Sequence, residues 1–260
     1  MIKKDALTIT IFESIKKSDI CPLCYLWLKN EERYMNYLLT NEVVMSPEFR
    51  EKVLVAKGFC NRHMHLLYKT AYGGHTENGL GYALYMQKVI KKIYEDFEIL
   101  LNNLNKLKNL ESNIFNKKRK QKEISLLYNK IMLAIKGRKK CPACEHLESM
   151  DNIYMHTLIR MLNDKNFREE FKSSNGICLP HFSSTIKIIN QSKIKNPIII
   201  IQTLFEVENK QIQLIKNYLS EFIRKHSWDF RNEAFGPEAN VNYMILNILT
   251  GVEGLYLLKL

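Results

Sequence analysis

Apolar residues recur at helical spacing along most of the chain, and no segment shows the alternation expected of a β-strand. Long stretches without Gly or Pro also favour helix. Apolar positions from Leu80 to about Leu110 predict a long amphipathic helix. Other helices are expected at 7–17, 22–40, 47–56, 59–72, 122–137, 142–163, 165–172, 177–190 and 196–226, with one more after Pro237. The segments TNEVVMSPE, from Thr40, and YGGHTENG, from Tyr72, are expected to be loops. The pattern predicts an all-α protein.

Cysteine is confined to two matching sets of motifs. CPLC, from Cys21, is followed after 35 residues by CNRH, from Cys60. CPAC, from Cys141, is followed after 33 residues by CLPH, from Cys178. All six cysteines of the chain belong to these motifs. One short thiol pair would be weak evidence for a site, but two matched copies are specific.

The match between the two halves extends beyond the cysteines. YMNYLL, from Tyr34, corresponds to YMHTLI at an offset of 120, and FRE, from Phe49, recurs at an offset of 118. Such coincidences indicate an internal duplication. We therefore predict a first helical repeat at 1–115, a second at 116–226 and a C-terminal helical tail at 227–260.

The chemistry of the motifs points to metal binding. Thiolates at a helix start are stabilised by free N–H groups and the helix dipole. Residues three apart on a helix share one side, so each CxxH pair can offer both ligands together. Three thiolates and one imidazole form a closed set that is typical of structural zinc. We expect two zinc ions per chain, each bound within one repeat. The predicted ligands are Cys21, Cys24, Cys60 and His63 in the first repeat and Cys141, Cys144, Cys178 and His181 in the second.

Other uses of these motifs compete with structural zinc. A dithiol redox enzyme would leave the CxxH pairs unexplained, and no strand–helix–strand pattern precedes either CPxC. An iron–sulfur cluster with three Cys and one His remains an alternative. A catalytic zinc is disfavoured because four protein ligands leave no open position. A zinc-thiolate redox switch stays open, since thiolates that bind zinc can oxidise when exposed. His65, close to His63, has no counterpart in the second repeat and is not expected to bind metal.

Composition and charge add a compartment and a second hypothesis. The chain is 46% hydrophobic and 25% charged, which is ordinary for a globular protein. It shows no signal-peptide core and no stretch long enough to span a bilayer, so a cytoplasmic location without membrane contact is expected. The net charge is +12, of which +9 lies in the 24 residues of the basic joint, 117–140. This joint could contact phosphate or an acidic partner, although a solvated helix face is the simpler interpretation.

The ordered motifs resemble a bacterial family of uncharacterised proteins, a family defined by a domain of unknown function. The resemblance rests on CPLC…GFCNRH, an Asn-Gly-Leu-Gly stretch leading into a long helix, CPAC…FREEF…GICLPHF and the tail KHSWDFRNEAFGPE. It covers nearly the whole chain, with Ile177 at a Phe position as a mild departure. The resemblance implies a cytosolic location and paired Cys/His motifs, and it brings no established activity.

Three functions are therefore carried forward. The leading hypothesis is a non-enzymatic interaction or scaffold protein stabilised by zinc, with an unknown protein partner. The motivation is two closed ligand sets in a chain without a Walker loop, GxSxG or HExxH motif. The second hypothesis is a nucleic-acid-associated regulator that uses the basic joint. The third is a zinc-thiolate redox switch. No catalytic residue is predicted, and the sequence leaves the oligomeric state open.

Overall fold

The structure, a computed structural model, describes residues 5–73, 79–109, 117–137 and 139–253, with the backbone alone at 107–109 and 117–120. Within these ranges the chain is helical and contains no β-strand, which confirms the all-α prediction. The helices are α1 (Ala6–Lys17), α2 (Pro22–Leu38), α3 (Asn41–Met45), α4 (Pro47–Val55), α5 (Asn61–Gly73), α6 (Leu80–Asn109), α7 (Lys117–Lys136), α8 (Pro142–Met161), α9 (Lys165–Lys172), α10 (Leu179–Gln191), α11 (Pro197–Lys225) and α12 (Val241–Thr250), with 3-10 turns at Trp228–Phe230 and Pro237–Asn240. No helix in the described ranges is both long and apolar enough to cross a membrane.

The chain divides into two compact units. Residues up to Asn30, together with those from Leu147 onward, form unit A, and Glu31–His146 form unit B. The boundaries fall inside α2 and α8, so each of these helices contributes residues to both units. The start of the chain thus belongs to the same compact unit as most of its second half.

Unit A is organised around a core of large side chains from helices far apart in sequence. Asp5 and Thr8 form a capping box that starts α1, with Thr8 N donating to Asp5 Oδ1 over 2.8 Å. Ile11 of α1 and Trp27 of α2 are almost fully buried, as are Phe167 and Phe171 of α9. Burial of each such side chain stabilises the fold by roughly 1.5–3 kcal/mol. The core thus joins the first two helices to the elements that follow residue 147.

Unit B has its own core around Tyr85 of α6. Its hydroxyl donates to the carbonyl of Leu38, at the end of α2, over 2.7 Å. The rings of Phe49 and Phe59 pack edge-on against it, with centroids 5.8 and 6.3 Å away. Leu67 of α5 is fully buried in the same cluster. The hydrogen bond satisfies the one polar atom that a buried tyrosine brings into an apolar core.

The segment expected to be a loop after Thr40 instead contains the short helix α3, so this prediction was wrong. Val43 and Val44 pack into the core of unit B, and this burial stabilises the short helix. The Ser46 side chain then accepts from Phe49 N and starts α4 without a further spacer. The sequence predicts a loop here because residues typical of turns flank this short apolar pair.

The repeated FRE segments make equivalent hydrogen bonds in both halves of the chain. The Asp164 side chain accepts from Phe167 N at the start of α9, as Ser46 does for Phe49 at the start of α4. The next residue, Arg168, donates to the carbonyl of Leu162, and its counterpart Arg50 donates to the carbonyl of Val44. Each arginine therefore satisfies a carbonyl at the end of the preceding helix. The two FRE segments therefore share the same local geometry.

Candidate metal centres

Cluster A lies in unit A and brings together Cys21, Cys24, Cys178 and His181. Cys21 and Cys178 are the residues immediately before α2 and α10, and Cys24 and His181 follow three residues later in the first turns. The amide of Cys24 also donates to Cys21 Sγ over 3.5 Å. All four donor atoms therefore project from helix N-termini, where free amides and the helix dipole favour negative sulfur. All four residues are buried.

Cluster B lies in unit B and has the same construction. It brings together Cys60, His63, Cys141 and Cys144, from the starts of α5 and α8. The carbonyls of Cys60 and Cys141 accept the first backbone hydrogen bonds of these helices, from Met64 N and Glu145 N. Cys60 and Cys141 are half-buried, so cluster B is closer to solvent than cluster A.

The distances in both clusters suit a tetrahedral ion. His181 Nδ1 lies 3.1 Å from the sulfur of Cys178 and 3.4 Å from those of Cys21 and Cys24. A tetrahedron with zinc–sulfur bonds of about 2.3 Å and zinc–nitrogen bonds of about 2.0–2.1 Å has edges of roughly 3.5–3.8 Å. Cys24 and Cys178 sulfurs are 3.5 Å apart, much farther than the roughly 2.05 Å of a disulfide. The four atoms already stand near the corners that a zinc ion would need.

Cluster B shows similar spacing. His63 Nδ1 lies 3.1 Å from the sulfur of Cys60, 3.3 Å from that of Cys144 and 3.6 Å from that of Cys141. The sulfurs of Cys60 and Cys144 are 3.6 Å apart. In both clusters the imidazole therefore faces the thiols through Nδ1, which leaves Nε2 for another partner.

The pairing of the motifs differs from the prediction. The structure brings together all eight predicted residues, but each CPxC pair meets the CxxH pair of the other repeat. Cys21 and Cys24 join His181, not His63, and Cys141 and Cys144 join His63. The predicted pairing within each repeat was therefore wrong. The two motifs have nearly equal spacing in both repeats, so the sequence offered no basis for choosing between direct and crossed pairing.

On the side away from the thiols, each histidine contacts a buried carboxylate that the sequence motifs do not identify. His181 Nε2 lies 3.0 Å from Asp151 Oδ1, and His63 Nε2 lies 3.2 Å from Glu31 Oε1. A histidine that binds metal through Nδ1 carries its proton on Nε2 and donates it to such an acceptor. Glu31 and Asp151 are 120 residues apart, the offset of the repeated YM motifs. Two acids at the repeat offset were the available signal.

The two carboxylates differ in their other partners. Arg62 donates to both oxygens of Glu31, each over 2.7 Å. In the second CxxH motif, Pro180 occupies the position that Arg62 has in the first, so this motif contains no corresponding arginine. Asp151 is 1% exposed, and its Oδ2 makes no hydrogen bond among the described residues. Among the described residues, His181 is the one side chain that shares a hydrogen bond with Asp151.

The electrostatics of the clusters suit a cation. Burial alone would lower the pKa of His63, but contacts with Cys141, Cys60 and Glu31 raise it to about 11. Burial likewise opposes protonation of His181, yet the Cys21 thiolate and Asp151 raise its pKa well above the usual value. Burial also opposes ionisation of Cys21, but hydrogen bonds from Cys178 and Cys24 hold its pKa well below that of a free thiol. In each cluster one thiol, Cys21 or Cys60, thus has a lowered pKa beside a positive imidazole, whereas the pKa values of Cys24, Cys144 and Cys178 are raised. A divalent ion in this place would stabilise the remaining thiolates as well.

Other residues singled out from sequence lie away from the clusters. His65, His156 and His226 are exposed. His146 stacks on Tyr34 with ring centroids 3.7 Å apart, so it belongs to packing in unit B. His75 lies outside the described residues. Of the basic joint, α7 is helical, whereas Arg138 and the side chains of 117–120 lie outside the described part of the chain.

Fold and clusters together define a class: an all-helical protein with two buried or half-buried Cys₃His sets, each able to hold a metal ion. The family described as "Family of unknown function (DUF6062)" matches residues 2–240. The chain therefore belongs to the DUF6062 family. Searches of curated proteins and of solved structures find no match.

Proposed function

We propose that each cluster holds one structural zinc ion and that the protein acts as a non-enzymatic interaction module in the cytoplasm. The observation that carries this proposal is the convergence of three sulfurs and one imidazole nitrogen, all within 4.8 Å of one another, in both clusters. Soft thiolates with imidazole suit zinc better than calcium or magnesium. Four protein donors fill a tetrahedral shell and leave no position for a substrate. A reducing compartment would keep the thiols available for metal.

Zinc in these positions would close long loops. Cys24 and Cys178 are 154 residues apart, and Cys60 and Cys144 are 84 residues apart. The loop closed by cluster B is nested inside the loop closed by cluster A. Zinc binding to such sets contributes roughly 10–16 kcal/mol at neutral pH, which is comparable to the whole stability of a domain. The ions would thus fix which distant helices belong to each unit.

Elemental analysis of protein purified without added metal tests this proposal. Two zinc ions per chain are expected, and Cys60→Ala should retain one because it removes a ligand from cluster B alone. Glu48→Ala, at an exposed position of α4, is a matched control that should keep both ions. Iron in place of zinc, together with visible absorbance, would contradict the structural-zinc proposal, and so would protein without any bound metal.

A second candidate, redox sensing, is supported by the difference in exposure between the clusters. Cys60 and Cys141 are half-buried, whereas all donors of cluster A are buried. Hydrogen peroxide would take two electrons from two thiolates, which would form one disulfide, with two protons consumed and two waters released. We then expect zinc release from cluster B before cluster A, reversed by a thiol reductant and fresh zinc. Release of both ions together, or of neither, under mild peroxide would count against this function.

A further inference from the structure

Two exposed apolar stripes run along α6 and α7 in unit B. On α6 the stripe consists of Ile90, Tyr94, Phe97, Leu101 and Leu104, each between 44% and 64% exposed. On α7 it consists of Ile124, Tyr128 and Ile135, each between 43% and 59% exposed, with the partly buried Ile131 between them. Successive positions are four and three residues apart in both helices. This is the heptad spacing with which helices pack against other helices.

The two stripes face the same side of the helix pair. Leu100 of α6 and Leu127 of α7 are buried in the contact between the two helices. At about 100° per residue, the α6 stripe is centred roughly 80° beyond Leu100 and the α7 stripe roughly 70° beyond Leu127. The seven residues between the helices can span at most about 25 Å, far less than the length of α6, so helices that pack side by side must run antiparallel. In an antiparallel pair these two rotations point to one side, which gives a continuous apolar face.

The size of this face exceeds what a monomer normally leaves in water. With large apolar side chains offering roughly 150–250 Å² each, the exposed fractions amount to roughly 800 Å². The largest apolar patch of a typical monomer is about 300–600 Å². A stable interface of standard size buries about 800 Å² on each partner. The face is therefore large enough to form one side of a stable interface.

We propose that a second copy of this chain covers the face, so that α6 and α7 of two protomers form a four-helix bundle. A partner must present two antiparallel heptad stripes of matching length to cover both stripes at once, and a two-fold-related copy does so by symmetry. A single partner helix would leave one stripe in water. The dimer gives the proposed interaction role a specific partner and does not depend on which metal the clusters bind.

The charge on α7 adds a distinguishing property. The chain has a net charge of +12, and Lys122, Lys130 and Lys136 are exposed on α7, so two copies approach each other against like-charge repulsion. Added salt screens that repulsion, and the dimer should hold or tighten between 0.1 and 0.5 M salt. Binding to nucleic acid through the same basic helix would weaken over that range. Salt dependence therefore separates self-association from a nucleic-acid role.

Sedimentation velocity of the full, metal-loaded chain tests the dimer. The expected mass is twice 30.7 kDa at micromolar concentration, and Tyr94→Glu with Tyr128→Glu should raise the dissociation constant at least about 100-fold. The added acids reduce the net positive charge, so repulsion between two positively charged copies cannot explain such a loss. Ile198→Glu, at a 77% exposed position of α11, is the matched control and should leave the dimer intact.

Two results would overturn the proposal: a wild-type chain that stays monomeric at 100 µM in 0.5 M salt, or a double variant that still dimerises as the wild type does. Helicity and metal content measured on the same samples show whether the variant is folded. A monomeric wild-type chain with two zinc ions would reject the dimer and leave the metal proposal standing. A dimeric wild-type chain without bound metal would reject the metal proposal and leave the dimer standing.

Discussion

Replacing Asp151 by Asn isolates the carboxylate behind His181 in cluster A. The two side chains are at most 1% exposed, and their hydrogen bond is 3.0 Å long. Asparagine keeps the shape but loses the charge, so it accepts the Nε2 proton more weakly and favours the tautomer that frees Nδ1 less strongly. The helix around it should be unaffected, because Asp151 Oδ2 makes no other hydrogen bond among the described residues.

The size of the effect follows from the hydrogen bond that is weakened. A hydrogen bond to a charged group contributes about 1.5–3 kcal/mol and a neutral one about 1 kcal/mol. The difference, about 0.5–2 kcal/mol, corresponds to a loss of roughly 2- to 30-fold in metal affinity. Outer carboxylates of this kind are generally worth about 10- to 100-fold. We therefore expect cluster A of Asp151→Asn to bind zinc roughly 10- to 30-fold more weakly.

Competition with a chromophoric chelator measures this effect one site at a time. Wild-type protein should release its two ions in two resolved steps. Asp151→Asn should shift one step to lower chelator concentration and leave the other in place. Asp229→Asn, an exposed substitution, is the control and should shift neither. Unchanged release from Asp151→Asn, with normal helicity, would refute the assignment of Asp151 as the residue that orients His181.

Three further predictions follow from buried groups and metal removal. Burial, only partly offset by a hydrogen bond from Ile177 N, raises the pKa of Glu208 from 4.5 to about 8, so the folded state holds this proton more tightly than the unfolded chain. The contribution of Glu208 to the free energy of unfolding is therefore full below pH 4.5 and falls as the pH rises to about 8. In urea denaturation at several pH values, Glu208→Gln should make this fall less steep. The control Glu206→Gln should leave the fall unchanged. Gly176→Ala should destabilise the protein by at least about 1 kcal/mol in the same assay, because φ is +70° and a Cβ would lie 2.6 Å from Glu208 Oε1. Gly73→Ala is the control, since nothing lies within 4 Å of its Cβ position. Equal stability of the two variants would show that no strain exists at Gly176. Chelation of metal should lower the midpoint of thermal unfolding by more than 10 °C, measured by circular dichroism, and an unchanged midpoint would deny the ions a structural role.

Most helices were accessible from sequence because their signals are local. The predicted bounds 142–163, 165–172 and 196–226 agree within two residues with those of α8, α9 and α11. Proline in the first turn marks the start of two of these helices. The start of α7 was placed five residues late, at 122 and not at Lys117, because the basic residues there carry no apolar periodicity. Pattern fixes a helix where one face is buried and says little where every side chain is polar.

The site was only partly accessible because its assembly is not local. Residue type and spacing identified the eight candidate donors, but the choice between direct and crossed pairing depends on which helices pack together in three dimensions. Glu31 and Asp151 look like surface acids in sequence, and only the buried imidazoles above them explain their place. The exposed stripe of α6 was equally hidden, since an amphipathic pattern does not show how much of its apolar arc the rest of the chain covers.

The crossed pairing is the central claim, and thiol alkylation with mass spectrometry tests it directly. A variant with Cys21→Ser and Cys24→Ser removes one CPxC pair and leaves one set of donors intact. With zinc bound, crossed pairing predicts one ion per chain, protection of Cys60 and alkylation of Cys178. Protection of Cys178 with alkylation of Cys60 would instead show that each repeat binds its own ion, which would contradict the arrangement of both clusters.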